Sequence, residues 1–155
     1  MKQYTEISLD EVSAYLTEEF DYLAPINAWG ERSFFYNPNS LLPRGVYFCT
    51  LKEKDGDNDK ASELDRDGIY RFNFGLPSNA FIEMFGAKPQ RPGKGKIIAG
   101  NWNFTEPNKL MPHPVYGWMG WVAILNPTLD VFSELKPHIR LSYEKAQQNF
   151  TKRLA

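Results

Sequence analysis

Hydrophobic and polar positions follow two periods along this chain, and the switches between them mark its elements. Ser8 followed by Glu11 has the spacing of a capping box, in which each side chain serves a backbone N–H at a helix start. Ile7 and Val12 stand where a hydrophobic staple closes, and Leu9, Val12, Leu16 and Phe20 recur at helical spacing. A helix is expected over residues 9–20.

Strand patterns come next. Residues 33–36 are short and aromatic, and Asn37-Pro38-Asn39-Ser40 ends them with turn chemistry. Residues 46–51 set Val46, Phe48 and Thr50 against Tyr47, Cys49 and Leu51. Both faces are largely apolar, which predicts a central strand. The charged stretch 52–67 has no period and is expected to be a solvated loop. In residues 69–74 the alternation is sharp, with Tyr70, Phe72 and Phe74 on one face and Arg71 and Asn73 on the other.

Gly75-Leu76-Pro77-Ser78 then turns the chain into a short helix, with Ser78 as N-cap, Phe81 and Phe85 packing, and Gly86 left-handed at its end. Residues 87–112 are rich in Pro, Gly and Lys and read as irregular, an extended piece at 96–99 apart. Residues 121–125 form an apolar strand closed by Asn126-Pro127. A final helix carries Phe132, Leu135, Ile139, Tyr143, Ala146 and Phe150 on one stripe, and Pro137 is expected to kink or divide it.

The order helix, strands, helix, strand, helix, with short strands and turn-like links, predicts one α+β domain over residues 1–155. Its antiparallel sheet would be covered on one side by helices. No alternating strand–helix–strand pattern supports a parallel doubly wound sheet.

Composition narrows the function classes. With 155 residues and 42% hydrophobic content, a core forms without disulfides or metal. A net charge of -1 gives no global attraction to nucleic acid or anionic lipid. The single cysteine fits a reducing interior. The N-terminal stretch lacks the apolar core of a secretion signal, and no run approaches the roughly 20 apolar residues of a membrane span. A cytoplasmic protein without membrane partners is expected.

Four places hold candidate chemistry. Asp55, Asp57 and Asp59 have the spacing of the first EF-hand ligands, but Lys60 replaces the required Gly and Arg66 the bidentate Glu, so a solvated loop is expected. Lys88, Arg91, Lys94 and Lys96, spaced by Pro and Gly, lack the phosphate-loop pattern. They would still hold a phosphate or a nucleic-acid backbone.

His113 is bracketed by Pro112 and Pro114 and crowded by Tyr116, Trp118 and Trp121. That setting suits a ligand-binding group or a general base of near-neutral pKa, and equally a structural ring packed on tryptophan. Arg71 and Asn73 share a strand face, where a guanidinium fork beside an amide suits a carboxylate or phosphate; Asp65 and Arg66 would join that face. Cys49 reads as inert packing, and His113 and His138 are too far apart in sequence to make a zinc site. No metal or cofactor is expected.

The blocks Asn27-Ala28-Trp29-Gly30, Phe34-Phe35-Tyr36-Asn37-Pro38, Leu64-Asp65-Arg66, Gly68 to Gly75, Phe81 to Gly86 and Pro112-His113-Pro114-Val115-Tyr116 through Gly120-Trp121-Val122 to Asn126-Pro127 resemble an uncharacterised bacterial family of unknown function. The resemblance runs from Trp29 to the final helix and implies one domain without implying an activity. More distantly, Trp121-Val122 and Ser142-Tyr143, with the element order, resemble the MmcQ/YjbR-like fold, which implies DNA binding.

The leading expectation is a non-enzymatic binding module for a small anion or a macromolecular partner, through Arg71, Asn73, His113, Trp118 and Asp65. The alternatives are a hydrolase-like enzyme with His113 as general base, oriented by Asp65 or Glu83, and nucleic-acid binding through the loop from Lys88 to Lys96.

Overall fold

The computed structural model describes residues 5–155; the first four residues of the N-terminal stretch lie outside them. Six strands form one sheet: β1 (Leu23–Ala28), β2 (Glu31–Tyr36), β3 (Val46–Lys52), β4 (Arg71–Gly75), β5 (Met111–Pro112) and β6 (Trp121–Leu125). Their order across the sheet is β1-β2-β3-β4-β6-β5, and every neighbouring pair is antiparallel.

Three helices, α1 (Leu9–Glu19), α2 (Ser78–Phe85) and α3 (Leu129–Leu154), bring Val12, Leu16, Phe81, Phe132, Ile139 and Tyr143 into one buried cluster with Phe34, Phe48, Phe72, Phe74, Val122 and Ile124 of the sheet. The α+β class and the helix-covered sheet are as the periodicities predict.

The start of α1 matches the sequence reading in detail. Ser8 Oγ accepts from Glu11 N–H at 3.1 Å and Glu11 Oε1 accepts from Ser8 N–H at 3.0 Å, while Ile7 and Val12 are buried. Elsewhere the structure differs. β1 is a strand with no apolar alternation, because it lies at the sheet's edge and four of its six residues are exposed. Ser78 is the first helical residue, not the cap; Pro77 precedes it, and Ser78 Oγ accepts from Lys88 Nζ at 2.8 Å. Gly86 does have positive φ, but its ψ of -161° keeps it out of the left-handed helical region. Residues 96–99 form no strand, although Ile98 is buried in a small second cluster with Phe104 and Met111.

Pro137 neither breaks nor divides α3, which runs unbroken for 26 residues. A proline inside a helix costs about 3 kcal/mol. Phe132, Leu135, Ile139 and Tyr143 are buried on both sides of it, each contributing about 1.5–3 kcal/mol, so the stripe outweighs the break.

β3 carries a bulge. Phe34 pairs with Cys49 but Phe35 pairs with Tyr47, which leaves Phe48 as the extra residue. Phe48 and Cys49 therefore both enter the helix-side core, and Tyr47, Thr50 and Lys52 share the opposite face. The expected alternation of Val46, Phe48 and Thr50 stops at that point.

Among the described residues, no α-helix covers the opposite face. The irregular segments before β4 and before β6 fold onto it instead. Residues 53–70 are therefore not simply solvated: Ser62 and Leu64 are each 1% exposed. Among the described residues, no helix is long and apolar enough to cross a membrane.

Candidate functional site

On the open face, the antiparallel register sets Thr50 beside Asn73 and Asn73 beside Ala123. Arg71 lies two residues from Asn73 on the same face, as the alternation predicts. The guanidinium is 1% exposed, so burial forces it to find partners inside the protein. Nε donates to Asn73 Oδ1 at 2.7 Å, and Nη1 donates to Asp59 Oδ1 at 3.0 Å and to Ser62 Oγ at 2.9 Å. Nη2 donates to Asp59 Oδ2 and faces His113 Nε2 at 3.1 Å. Asn73 Nδ2 in turn donates to Thr50 Oγ1 at 2.9 Å. The fork read from sequence as an anion clamp is engaged by the protein's own Asp59.

Asp59 reaches Arg71 from the loop between β3 and β4. Burial opposes its charge, yet the hydrogen bonds and charge of Arg71, with His113 and Lys52 beyond, hold its carboxyl below the usual value. Asp55, the first acid of the apparent calcium spacing, does different work. Asp55 Oδ1 accepts from Leu64 N–H at 2.8 Å, tying the loop to itself. Among the described residues, no group of three acidic, histidine or cysteine side chains is placed to hold a metal.

His113 follows β5, and the chain, expected to stay extended between the two prolines, turns from Pro114, where Gly117 N–H donates to His113 O at 2.8 Å. Its Nδ1 accepts from the backbone N–H groups of Val115 at 3.0 Å and Tyr116 at 3.1 Å. Two fixed backbone donors on Nδ1 place the neutral ring's proton on Nε2. That N–H faces Arg71 Nη2, which cannot accept it, and its nearest carboxylate oxygen, Asp59 Oδ2, is 3.9 Å away. Burial pushes the imidazole well below its ordinary pKa, Arg71 adds to the effect, and Asp59 opposes it. The near-neutral base expected from sequence is therefore a ring held in its neutral form, because burial and the charge of Arg71 outweigh Asp59.

A cavity of about 280 Å³ opens beside this network. Asp59, His113, Asn73 and Thr50 line its polar side; Tyr47, Tyr116, Met119 and Trp121 supply aromatic and thioether walls, and Glu31 adds a further acidic group. Two glycines shape the walls. A Cβ on Gly75 would sit 2.9 Å from Trp121 Nε1, so glycine there lets the indole lie across the neighbouring strand. Gly120, with φ of +90°, ends the tight turn of Gly117–Met119 and brings its own backbone against Leu76 O, where a Cβ would be 2.9 Å away.

Other residues singled out by sequence lie apart from this cavity. Asp65 Oδ1 accepts from Asp55 N–H at 3.0 Å and lines a separate, open cleft with Glu6, Arg66 and Tyr70. Glu83 is exposed on α2. The Trp118 ring lies under the Arg91 guanidinium, 4.8 Å from its centroid, and is not among the cavity's lining residues. Lys88 is tied to Ser78, while Lys94 and Lys96 are exposed. Cys49 is buried on the helix side, where burial pushes its thiol pKa well up. Sequence reasoning set Asp59 aside as part of a solvated loop and gave Tyr47 and Thr50 no role in a site. The last two were legible only once the bulge had put them on one face.

Fold and cavity together define an α+β domain whose open sheet face holds a buried Arg–Asp–His–Asn network beside an aromatic-walled pocket. The chain belongs to a family of unknown function (DUF6194), whose family model matches residues 7–155. No curated protein and no solved structure matches it.

Proposed function

We propose that this protein is a small-molecule-binding domain whose ligand presents a flat heterocycle with an N–H beside a carbonyl, the edge of a cyclic amide. One observation carries the reading: buried His113 Nε2 lies 3.1 Å from Arg71 Nη2 and 3.9 Å from the carboxylate of Asp59, and both His113 and Asp59 line the cavity. With Nδ1 accepting from two backbone N–H groups, the neutral ring carries its proton on Nε2 with no acceptor in hydrogen-bond reach. A buried donor left unpaired costs about 1–3 kcal/mol. A ligand carbonyl would satisfy it, and the adjoining ligand N–H would bond the free lone pairs of Asp59. Thr50 O–H and the second N–H of Asn73 are further donors to the same carbonyl. Tyr47, Tyr116 and Trp121 provide faces against which a planar ring stacks.

Binding is favoured over hydrolysis by the state of His113. Its Nδ1 is engaged by backbone donors and its basicity is depressed, so it is a poor proton acceptor and a good fixed donor. The test is a thermal-shift panel of uracil, hypoxanthine and guanine derivatives, each beside its N-methylated form at the amide edge. A ligand at 100 times its dissociation constant stabilises by about 2.7 kcal/mol, a shift of a few degrees. Shifts are expected with the free amide edge, lost on methylation and lost in Trp121→Leu. Equal shifts for free and methylated forms would sink the amide-edge reading.

A further inference from the structure

Tyr47, Met119 and Trp121 line both this pocket and a second depression, so the two adjoin across those three side chains. The second depression is larger, about 640 Å³, and runs past the end of the sheet onto α3. Its charge is of one sign. Arg44, Lys145 and Arg153 line it, and no acidic residue does. Lys145, Asn149 and Arg153 recur every fourth residue on α3 and so form one stripe.

Each cation is held by a contact that leaves donors free. Lys145 Nζ donates to Leu76 O at 3.0 Å, Arg153 Nη1 donates to Gly45 O at 3.2 Å, and the Arg44 guanidinium lies over the Phe35 ring, 5.7 Å from its centroid. Among the described residues, none of the three forms an ion pair with a carboxylate. Burial and the charge of Lys88 lower the Lys145 pKa, the mark of an ammonium without a counter-charge.

The polar character of the two depressions is opposite. The first is lined by Asp59 and Glu31 and has no cation on its surface; the second is lined by cations alone. At about 280 Å³ the first lies just below the span of roughly 300–1,000 Å³ usual for whole ligands, so it suits a ring and not a ring with its substituents. A ligand seated there by a cyclic-amide edge would have its remainder directed past Tyr47 and Trp121 toward Arg44, Lys145 and Arg153.

We infer that the ligand is a phosphorylated heterocycle, a nucleotide or flavin-type phosphate, whose ring occupies the aromatic pocket and whose phosphate lies in the groove of Arg44, Lys145 and Arg153. The inference rests on the pocket reading above and adds the anionic arm to it. Guanine, uracil and flavin rings share the required amide edge, so the phosphate is recognised by the groove and the ring by the pocket. The anion that the sequence placed on Arg71 thus moves to a different set of cations, whose donors are not already engaged.

The experiment is calorimetric titration of three matched pairs: guanosine and its 5′-monophosphate, uridine and its 5′-monophosphate, riboflavin and flavin mononucleotide. Each is titrated into the wild-type chain and into Lys145→Met/Arg153→Gln, with the folded state of the variant checked by its thermal melt. In at least one pair the phosphorylated member is expected to bind about tenfold or more tightly than its partner. The gain should vanish in the double variant while binding of the unphosphorylated member stays unchanged. Single Lys145→Met and Arg153→Gln variants serve the same comparison if the double variant does not fold. Equal binding of the two members in every pair that binds, or a gain that survives the variants, would overturn the phosphate groove and leave the pocket reading standing. No binding by any member would overturn the pocket reading and the inference with it.

Discussion

His113 is held at Nδ1 by two backbone donors, with Arg71 and the Asp59 carboxylate facing Nε2, and this buried setting makes its protonation state a stability term. In the folded protein the ring stays neutral, because burial and Arg71 oppose a second proton and Asp59 only partly offsets them. In the unfolded chain it protonates near its ordinary value of about 6.5. Below that pH the unfolded chain takes up a proton that the folded protein refuses, so stability falls as pH falls. The loss is up to about 1.4 kcal/mol per pH unit until the folded ring itself titrates. Asp59 acts in a lower window: its folded pKa is depressed, so its contribution is intact above the ordinary carboxylate range and is lost as pH falls through the lowered value. Urea midpoints at pH 7.5 and 5.5 should therefore differ in the wild type and converge in His113→Gln. If that variant does not fold, the wild-type His113 ring resonances should stay unmoved by NMR down to pH 5.5. A ring that titrates near 6.5 would refute the neutral assignment.

Among the elements, what was legible in sequence depended on whether a local pattern decided the outcome. The capping box of α1 and the alternation through Arg71 and Asn73 were legible because each is settled within a few residues. The bulge at Phe48 was not, since β3 is apolar on both faces and a shifted register looks the same. Asp59 was not, because nothing within an aperiodic loop marks the one acid that will meet a buried guanidinium from a later strand. Pro137 shows the converse, a strong local signal overruled by packing. Its ring is exposed, and the buried residues are Leu135 and Ile139, two positions away on either side. Pro137→Ala should therefore restore the missing backbone hydrogen bond without disturbing the core, and raise stability by about 1–3 kcal/mol. A higher urea midpoint at unchanged slope would bear this out; an unchanged or lower midpoint would show that the turn at Pro137 is already adapted to proline.

For the whole molecule, the division of labour follows the two faces of one sheet. The helix side holds the apolar cluster that makes the fold, and the open side holds the polar network and the aromatic pocket; the cationic groove lies past the end of the sheet, partly on α3. A net charge of -1 conceals this arrangement, because acidic and basic residues are summed before they are placed. The placement depends on how strands pair across long sequence separations, which the alternation within a strand does not encode. For the same reason Trp121 faces the pocket and Trp118 does not, though both stand near His113 in sequence.

The two margins of the sheet have a consequence for how the protein behaves in a crowd of its own copies. Outermost on one side is β1, interrupted by Pro25; on the other is β5, two residues long and ending in Pro112. Proline removes an amide donor, and a two-residue strand is too short to template a ladder. Neither margin offers an incoming chain a row of free amides to zip onto. Concentrated native protein should accordingly resist fibril growth, with no rise in thioflavin signal on prolonged incubation. Replacing Pro25 by valine should restore the missing amide donor on β1 and shorten the time to aggregation. If Pro25→Val left that time unchanged, the outer strand would not be the element that keeps the copies apart.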